Sequence, residues 1–304
     1  MTYLACVRST GTEVDMVDAS TGSIINTVSS LTDVNGVAFD AVSDAVVAVD
    51  GASNTVRRGS PSDPPPTTLP SGFGAPSLGA TAVDLTCEPT TGDLILATHT
   101  TVKRGVWGGS SYSYSTVATS IPSNEQLDSG GQMLAIWAGT DLLYYGSKDT
   151  APAPDEVQIR VMDLTDGTTS KVCDNVDIGI RGVADLYGMC ATSSSMLAVI
   201  GVDTTPLVTL RLVTTSGTLD SDITPAAWLA PANDHTPQCL AFDSVSGHLF
   251  VATSQFSGSP KVWEIALDGT VVNSYNSQLY FRMEVINPPT PPVTTSLVYG
   301  YNLE

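Results

Sequence analysis

The sequence has few cationic side chains. Lysine and arginine together number 12, against 31 aspartates and glutamates, and the formal net charge is −19. A surface of that sign repels the phosphates of nucleic acids and the headgroups of anionic lipids. We therefore expect an acidic protein with no nucleic acid and no membrane among its partners.

Long apolar runs and a basic leader are also missing. A membrane-spanning helix needs about 20 consecutive apolar residues, whereas the runs AVVAV at 45–49 and LAVIGV at 197–202 have the length of strands. Met1 is followed directly by YLACVRS, without an apolar leader segment or a small-residue cleavage site. We expect a soluble chain without a signal peptide, which is cytoplasmic unless it belongs to a virus particle.

Cysteine is scarce and irregularly placed. The five cysteines are odd in number, widely spaced and mostly flanked by apolar or small residues. That distribution favours reduced thiols in the core over a disulfide framework or a metal site. The residues are Cys6, Cys87, Cys173, Cys190 and Cys239.

Motifs for nucleophilic catalysis, phosphate binding and zinc binding are absent from the sequence. The nearest approach to G-x-S-x-G, at 108–111, fails at its last position. The glycine-rich segment 72–79 has no P-loop lysine. His99, His235 and His248 show neither H-x-H nor H-E-x-x-H spacing. We predict no catalytic residues, no metal site and no cofactor.

Internal repeats dominate what the sequence does contain. Residues 239–275 read as four short strands joined by three turns, with a hairpin signal at Asp268 and Gly269. GVAFDAVSDAVVAV at 36–49 closely matches CLAFDSVSGHLFVA at 239–252. A four-stranded unit cannot bury both of its faces alone, so it needs copies stacked against it. The sequence therefore predicts an all-β fold built from stacked sheets.

The spacing of the repeats predicts the number of sheets and the way the ring closes. Second strands are expected to begin near Tyr3, Ala45, Asp93, Asp141, Met196 and His248. These starts predict a single β-propeller over 1–304 with six four-stranded blades, and seven blades are the alternative. The first unit lacks an inner strand and 279–286 supplies a spare one, so we expect strand exchange between the termini. The proline-rich segment 287–304 contains an accessory or closing strand at 296–302.

Four repeats share a signature around the turn between their last two strands. The four copies are MVDASTGSI, VMDLTDGTT, RLVTTSGTL and EIALDGTVV. With A-F-D before the preceding hairpin, V-D-x-x-T-G resembles the YVTN-type and NHL-type β-propeller repeats. That resemblance implies blade architecture and carries little information about activity.

Several aspartates lie in segments that resemble fragments of calcium-binding loops, and we expect them to cap turns. They are Asp174, Asp177, Asp220 and Asp222. A divalent metal at the channel mouth, as in propellers of the gluconolactonase and regucalcin type, is the alternative.

Two groups of side chains are candidates for binding a partner. Trp107, Tyr112 and Tyr114 lie in or beside a glycine-rich hairpin turn, a composition suited to contacts with glycans or proteins. A second group lies in a loop before an inner strand and comprises Asn233, Asp234 and His235. Packing between blades for the aromatic group, and turn formation for the second, are the structural alternatives.

These features favour a non-enzymatic propeller that serves as a structural or attachment module. A virus particle, such as a phage tail or capsid surface, is the setting that the Ser-, Thr- and Asp-rich, lysine-poor composition favours. The expected partners are other structural proteins or cell-surface glycans and proteins, and a homo-oligomer is possible. The alternatives are a propeller hydrolase of the lactonase type or a lyase, and a cytosolic protein-interaction scaffold.

Overall fold

The computed structural model describes residues 1–29, 31–51, 55–59, 65–70, 82–118, 121, 125–127, 132–149, 157–180, 186–202, 208–228, 235–255 and 258–288. Regular structure in these ranges is β-strand, apart from a 3-10 turn at Ala226–Trp228. None of the helical structure in these ranges is long and apolar enough to cross a membrane.

The strands form six antiparallel sheets, which are the blades of a propeller. From the inner edge outward, blade 1 contains β24 (Tyr280–Ile286), β1 (Tyr3–Arg8), β2 (Val14–Asp18) and β3 (Ile24–Val28). Blade 2 contains β4 (Val34–Asp40), β5 (Ala45–Asp50) and β6 (Thr55–Gly59). Blade 3 contains β7 (Asp84–Cys87), β8 (Leu94–Ala97), β9 (Val102–Trp107) and β10 (Tyr112–Ala118).

Blades 4 to 6 follow the same plan. Blade 4 contains β11 (Glu125–Leu127) with β12 (Leu134–Ile136), then β13 (Leu142–Asp149), β14 (Val157–Asp163) and β15 (Thr169–Asp174). Blade 5 contains β16 (Leu186–Ser193), β17 (Met196–Val202), β18 (Val208–Thr214) and β19 (Leu219–Asp222). Blade 6 contains β20 (His235–Asp243), β21 (His248–Gln255), β22 (Lys261–Ala266) and β23 (Val271–Asn276). The six-bladed, all-β prediction is confirmed.

The ring closes by exchange of a strand between the two ends of the chain, as the repeat count predicts. β24 is the innermost strand of blade 1 and pairs antiparallel with β1. The register places Tyr3 opposite Ile286 and Cys6 opposite Met283. The backbone edge of β1 is therefore covered by a strand from the far end of the chain.

Two blades depart from the regular four-strand pattern. In blade 2, residues 67–70 follow β6 without forming a regular strand, but the Pro70 carbonyl accepts a hydrogen bond of 3.2 Å from the Arg58 amide. The neighbouring prolines have no amide to donate, which prevents a continuous ladder. In blade 4, the inner line is split, because β11 and β12 pair with successive parts of β13.

Hydrophobic clusters fill the six interfaces between neighbouring blades. Strand β5 shows why its sequence is continuously apolar. Val46 and Ala48 pack toward blade 1, whereas Val47 and Val49 pack toward blade 3. Because side chains alternate between the faces of a sheet and both faces are covered, every position favours an apolar residue.

All five cysteines are buried and free, as predicted. Burial raises the pKa of the Cys173 and Cys239 thiols to about 12. Because the thiolate is the reactive form, these buried thiols are inert near neutral pH.

Acidic side chains fix the turns that follow the inner strands. Asp40 Oδ1 accepts hydrogen bonds of 3.1 Å from the amides of Val42 and Ser43. Asp243 Oδ1 accepts one of 2.8 Å from the Val245 amide, so the two A-F-D segments end alike. This capping turns Val42 and Val245 outward, with exposed fractions of 59% and 76%.

Candidate functional site in the central channel

The predicted aromatic group lies at the contact between blades 2 and 3. The rings of Trp107 and Tyr112 have centroids 4.9 Å apart, and those of Tyr112 and Tyr114 are 5.9 Å apart. Arg58 lies 4.3 Å from the Trp107 ring centroid and donates a hydrogen bond of 2.7 Å to the Tyr112 hydroxyl. Tyr112 is only 5% exposed. The packing alternative describes Tyr112, and a binding role for the group stays a prediction.

The second predicted group lies largely outside the described residues. Asn233 and Asp234 are outside them, and His235 begins β20. Their binding role stays a prediction.

The aspartates in segments that resemble calcium-binding loops include Asp174, which caps a turn. Its side chain accepts hydrogen bonds from the Val176 and Asp177 amides, which is the expected capping role.

Buried polar side chains join several blades at the centre of the ring. Asp84 of blade 3 accepts hydrogen bonds of 2.8 Å and 3.1 Å from the amides of Met133 and Leu134 in blade 4. Its Oδ1 atom lies 3.7 Å from Nε of Arg282, which belongs to the closing strand. Both side chains are buried. Burial raises the pKa of Asp84 to about 6, although Arg282 and the backbone amides act in the opposite direction.

Arg282 and Gln132 extend these contacts to two further blades, 2 and 5. Arg282 donates to the carbonyls of Asn35 in blade 2 and Val83 in blade 3, at 3.0 Å and 3.3 Å. The Gln132 side chain accepts a hydrogen bond of 3.2 Å from the Met283 amide in blade 1, and its carbonyl accepts one of 2.9 Å from Met189 in blade 5. We call Asp84, Gln132 and Arg282 the central hub.

A cavity of about 210 Å³ opens at the carboxyl ends of the inner strands, and Gln132 of the central hub contributes to its lining. Three partly exposed aromatic rings line it, one each from blades 2, 4 and 6: Phe39, Trp137 and Phe242. Apolar walls with a few polar groups are typical of ligand sites. We call this opening the channel mouth.

Glu284 is the acidic side chain in the lining of the channel mouth. Burial raises the pKa of Glu284 to about 8; the amide of Val285 opposes this shift, and the nearby Asp84 adds to it. Among the described residues that line the cavity, none is cationic. The carboxyl group therefore lies at a partly exposed position of the lining, and no cationic side chain of the described lining residues compensates its charge.

This environment predicts that Glu284→Gln stabilises the protein at alkaline pH. In the folded state the group keeps its proton up to about pH 8, whereas the ordinary pKa is 4.5. The folded state therefore binds more protons between these values, and stability falls as the pH rises through this window. We expect the free energy of unfolding of the variant to exceed that of the parent by about 2 kcal/mol at pH 8.5. This value is smaller than the free energy that corresponds to the whole pKa shift, because water in the channel screens the charge.

The measurement is urea unfolding at pH 5 and pH 8.5. Asp44→Asn is the matched control, because it removes one negative charge in the β4–β5 turn, and asparagine accepts the φ of 48° at that position. The control should change stability equally at both pH values. An advantage of Glu284→Gln that is the same at pH 5 and pH 8.5 contradicts the prediction.

The ring of six blades, with its central hub and its open mouth, defines a six-bladed β-propeller protein. No protein-family model matches the chain, and no curated protein matches it either.

Solved structures do match. The chain is similar to a chain of the nidogen/laminin complex, with a TM-score of 0.63 and 10% identity over 95% of this chain and 99% of that one. The WD40 repeats of RRP9 match with a TM-score of 0.55 and 10% identity over 92% and 82% of the two chains. The luciferin-regenerating enzyme matches with a TM-score of 0.52 and 13% identity over 80% and 76%.

These likenesses show the fold alone. The three neighbours include a protein complex, a WD40 repeat domain and an enzyme, so the shared architecture does not select one activity. The propeller part of the sequence-based resemblance is confirmed, and its YVTN or NHL type stays a prediction.

Proposed function

We propose that this propeller is a non-catalytic binding module that docks a partner protein on the channel-mouth face. The observation that carries the proposal is the aromatic lining from three alternate blades, Phe39, Trp137 and Phe242, around a cavity with a few polar groups. Aromatic side chains are enriched where proteins bind one another.

Exposed valines beside the mouth extend the apolar surface. Val42 follows β4 and Val245 follows β20, and both of these inner strands contribute to the cavity lining. Their exposure of 59% and 76% results from the capped turns described above. A partner that covers the mouth would also bury these turn tips, which adds apolar area to the contact.

The setting that we propose is a virus particle, where the module would hold another structural protein or a cell-surface molecule. This part of the proposal is supported by the sequence composition, which is acidic and poor in lysine. A net charge of −19 favours a basic partner surface, because electrostatic complementarity accelerates and orients association.

The docking face can be tested with peptides selected from a displayed random library against the native protein. We expect Val245→Asp and Phe242→Ala each to lower the affinity for the selected peptides by more than about tenfold, as substitutions at interface hot spots do. Val272→Asp is the matched control, because Val272 lies on β23, the outer strand of the same blade, and is 50% exposed. If Val272→Asp lowers the affinity for the selected peptides, while Val245→Asp and Phe242→Ala leave it unchanged, the proposal is overturned.

A further inference from the structure

Glu284 is placed to hold a ligand charge. It lies within β24, where the neighbouring Met283 is held by the central hub, and Asn287, which follows the strand, also lines the cavity. The titratable groups that interact with it include Asp84 and Cys87 from β7 and Cys190 from β16. Arg282, two residues earlier on β24, lies 3.7 Å from Asp84 and donates to the carbonyls of Asn35 and Val83. Burial raises the pKa of both thiols, so they stay neutral and supply no positive charge.

The surroundings of the carboxyl group suit a cation on an apolar stem. Cys190, Ala191 and Ala241 give the wall small apolar surfaces against which methylene groups can pack. The rings of Phe39 and Phe242 line the same cavity, and aromatic rings attract ammonium and guanidinium groups that lie over their faces. A carboxylate and aromatic rings in one cavity favour a positive ligand over a neutral or negative one.

We infer that the channel mouth takes the cationic end of a lysine or arginine side chain presented by the docked partner, with Glu284 as its counter-ion and the aromatic rings around its stem. This inference rests on the proposed docking function and specifies the chemistry that is recognised. The net charge of −19 acts in the same direction, because it attracts a basic partner before contact.

Binding of such a cation must depend on pH. The free carboxyl group has a pKa of about 8, so a cation that pairs with the carboxylate displaces a proton at neutral pH. Alkylammonium groups keep their charge in this range, since their ordinary pKa is about 10.4. We therefore expect affinity to increase by at least about tenfold from pH 6.5 to pH 8.5 and to level off above the pKa of the group.

The test uses the full chain and three small probes of one stem length: n-butylammonium, n-butylguanidinium and n-butanol. Binding is measured by ligand-observed NMR and by the fluorescence of Trp137, which lines the cavity. We expect at least one cation to bind, n-butanol to bind at least about tenfold more weakly, and Glu284→Gln to remove most of that preference, as for a charge-assisted hydrogen bond. Asp44→Asn, with the same charge change outside the lining, should keep it.

The outcomes separate this inference from the docking proposal. If n-butanol binds as well as the cations, or if Glu284→Gln leaves the preference intact, the inference is overturned, while the mouth remains an apolar docking site. If no probe binds, the inference is overturned as well, and the peptide selection decides the docking proposal separately. Cation binding that is lost in Glu284→Gln and strengthens with pH supports it.

Discussion

Deletion of residues 278–304 is expected to abolish cooperative folding of the entire ring. The deletion removes β24 and with it the antiparallel pairing to β1. It also removes Arg282 from the central hub, and Tyr280 and Met283 from the hydrophobic cluster between blades 6 and 1. The backbone edge of β1 would then be open to pairing with other molecules, which promotes aggregation.

The measurement is far-UV circular dichroism during urea unfolding, with light scattering to detect aggregates. We expect a broad, low-amplitude transition and soluble aggregates instead of a single cooperative step. Deletion of 296–304 is the control, because it retains every contact of the described residues and should change the free energy of unfolding by less than about 0.5 kcal/mol. If that shorter deletion also destroys the fold, 296–302 is a blade strand, and the six-blade assignment is wrong.

Replacement of Arg282 by methionine is expected to destabilise the protein by about 3–5 kcal/mol at pH 8, the range for breaking a buried ion pair. The substitution leaves the carboxylate of Asp84 buried and removes the donor to the carbonyls of Asn35 and Val83. The loss should be smaller at pH 5, where Asp84, with its pKa of about 6, is protonated and no longer needs a cation.

Lys171→Met is the matched control for this substitution. Lys171 pairs with Asp174 at 2.8 Å, and the two side chains are 42% and 22% exposed, so we expect a cost of about 1 kcal/mol or less. The double variant Arg282→Met with Asp84→Asn should recover part of the loss, because it removes the unpaired charge. Equal costs for Arg282→Met and Lys171→Met, measured by urea unfolding, would show that the central hub contributes no special stability.

The blades could be predicted from the sequence because their information is local. Each second strand begins at or within one residue of its predicted start, as at Ala45, Met196 and His248. A hairpin needs only alternating or apolar runs and a turn residue between them, and all of these lie within a few positions. The closing strand followed from the same reasoning, since one unit lacked an inner strand and the chain held a spare one.

The central hub and the channel mouth could not be predicted in this way. Asp84, Gln132 and Arg282 come from three blades and are separated by tens to more than a hundred residues, with no fixed spacing. Their proximity is created only by the closed ring. The one local signal is that Arg282 and Glu284 are charged residues inside an otherwise apolar closing strand, where a buried charge needs a partner or a function.

The aromatic group shows what local composition leaves open. A glycine-rich turn beside Trp107 and Tyr112 suggests exposure, because turns lie on the surface. In the fold, Arg58 of the neighbouring blade covers both rings, and Tyr112 is buried. Local composition identified the turn correctly, but it carried no information about what the adjacent blade places over it.

The pairing of β24 with β1 also has a consequence for the order of folding. It joins Tyr3 to Ile286, and contacts between positions so distant in the chain form slowly, because the loop-closure entropy is lost before they are made. We therefore expect the seam to form last, after the local hairpins. Glu284 lies within that seam, so its carboxyl group enters the channel mouth in the same step that completes the ring. A folding intermediate with an open seam would therefore lack the binding site that we propose.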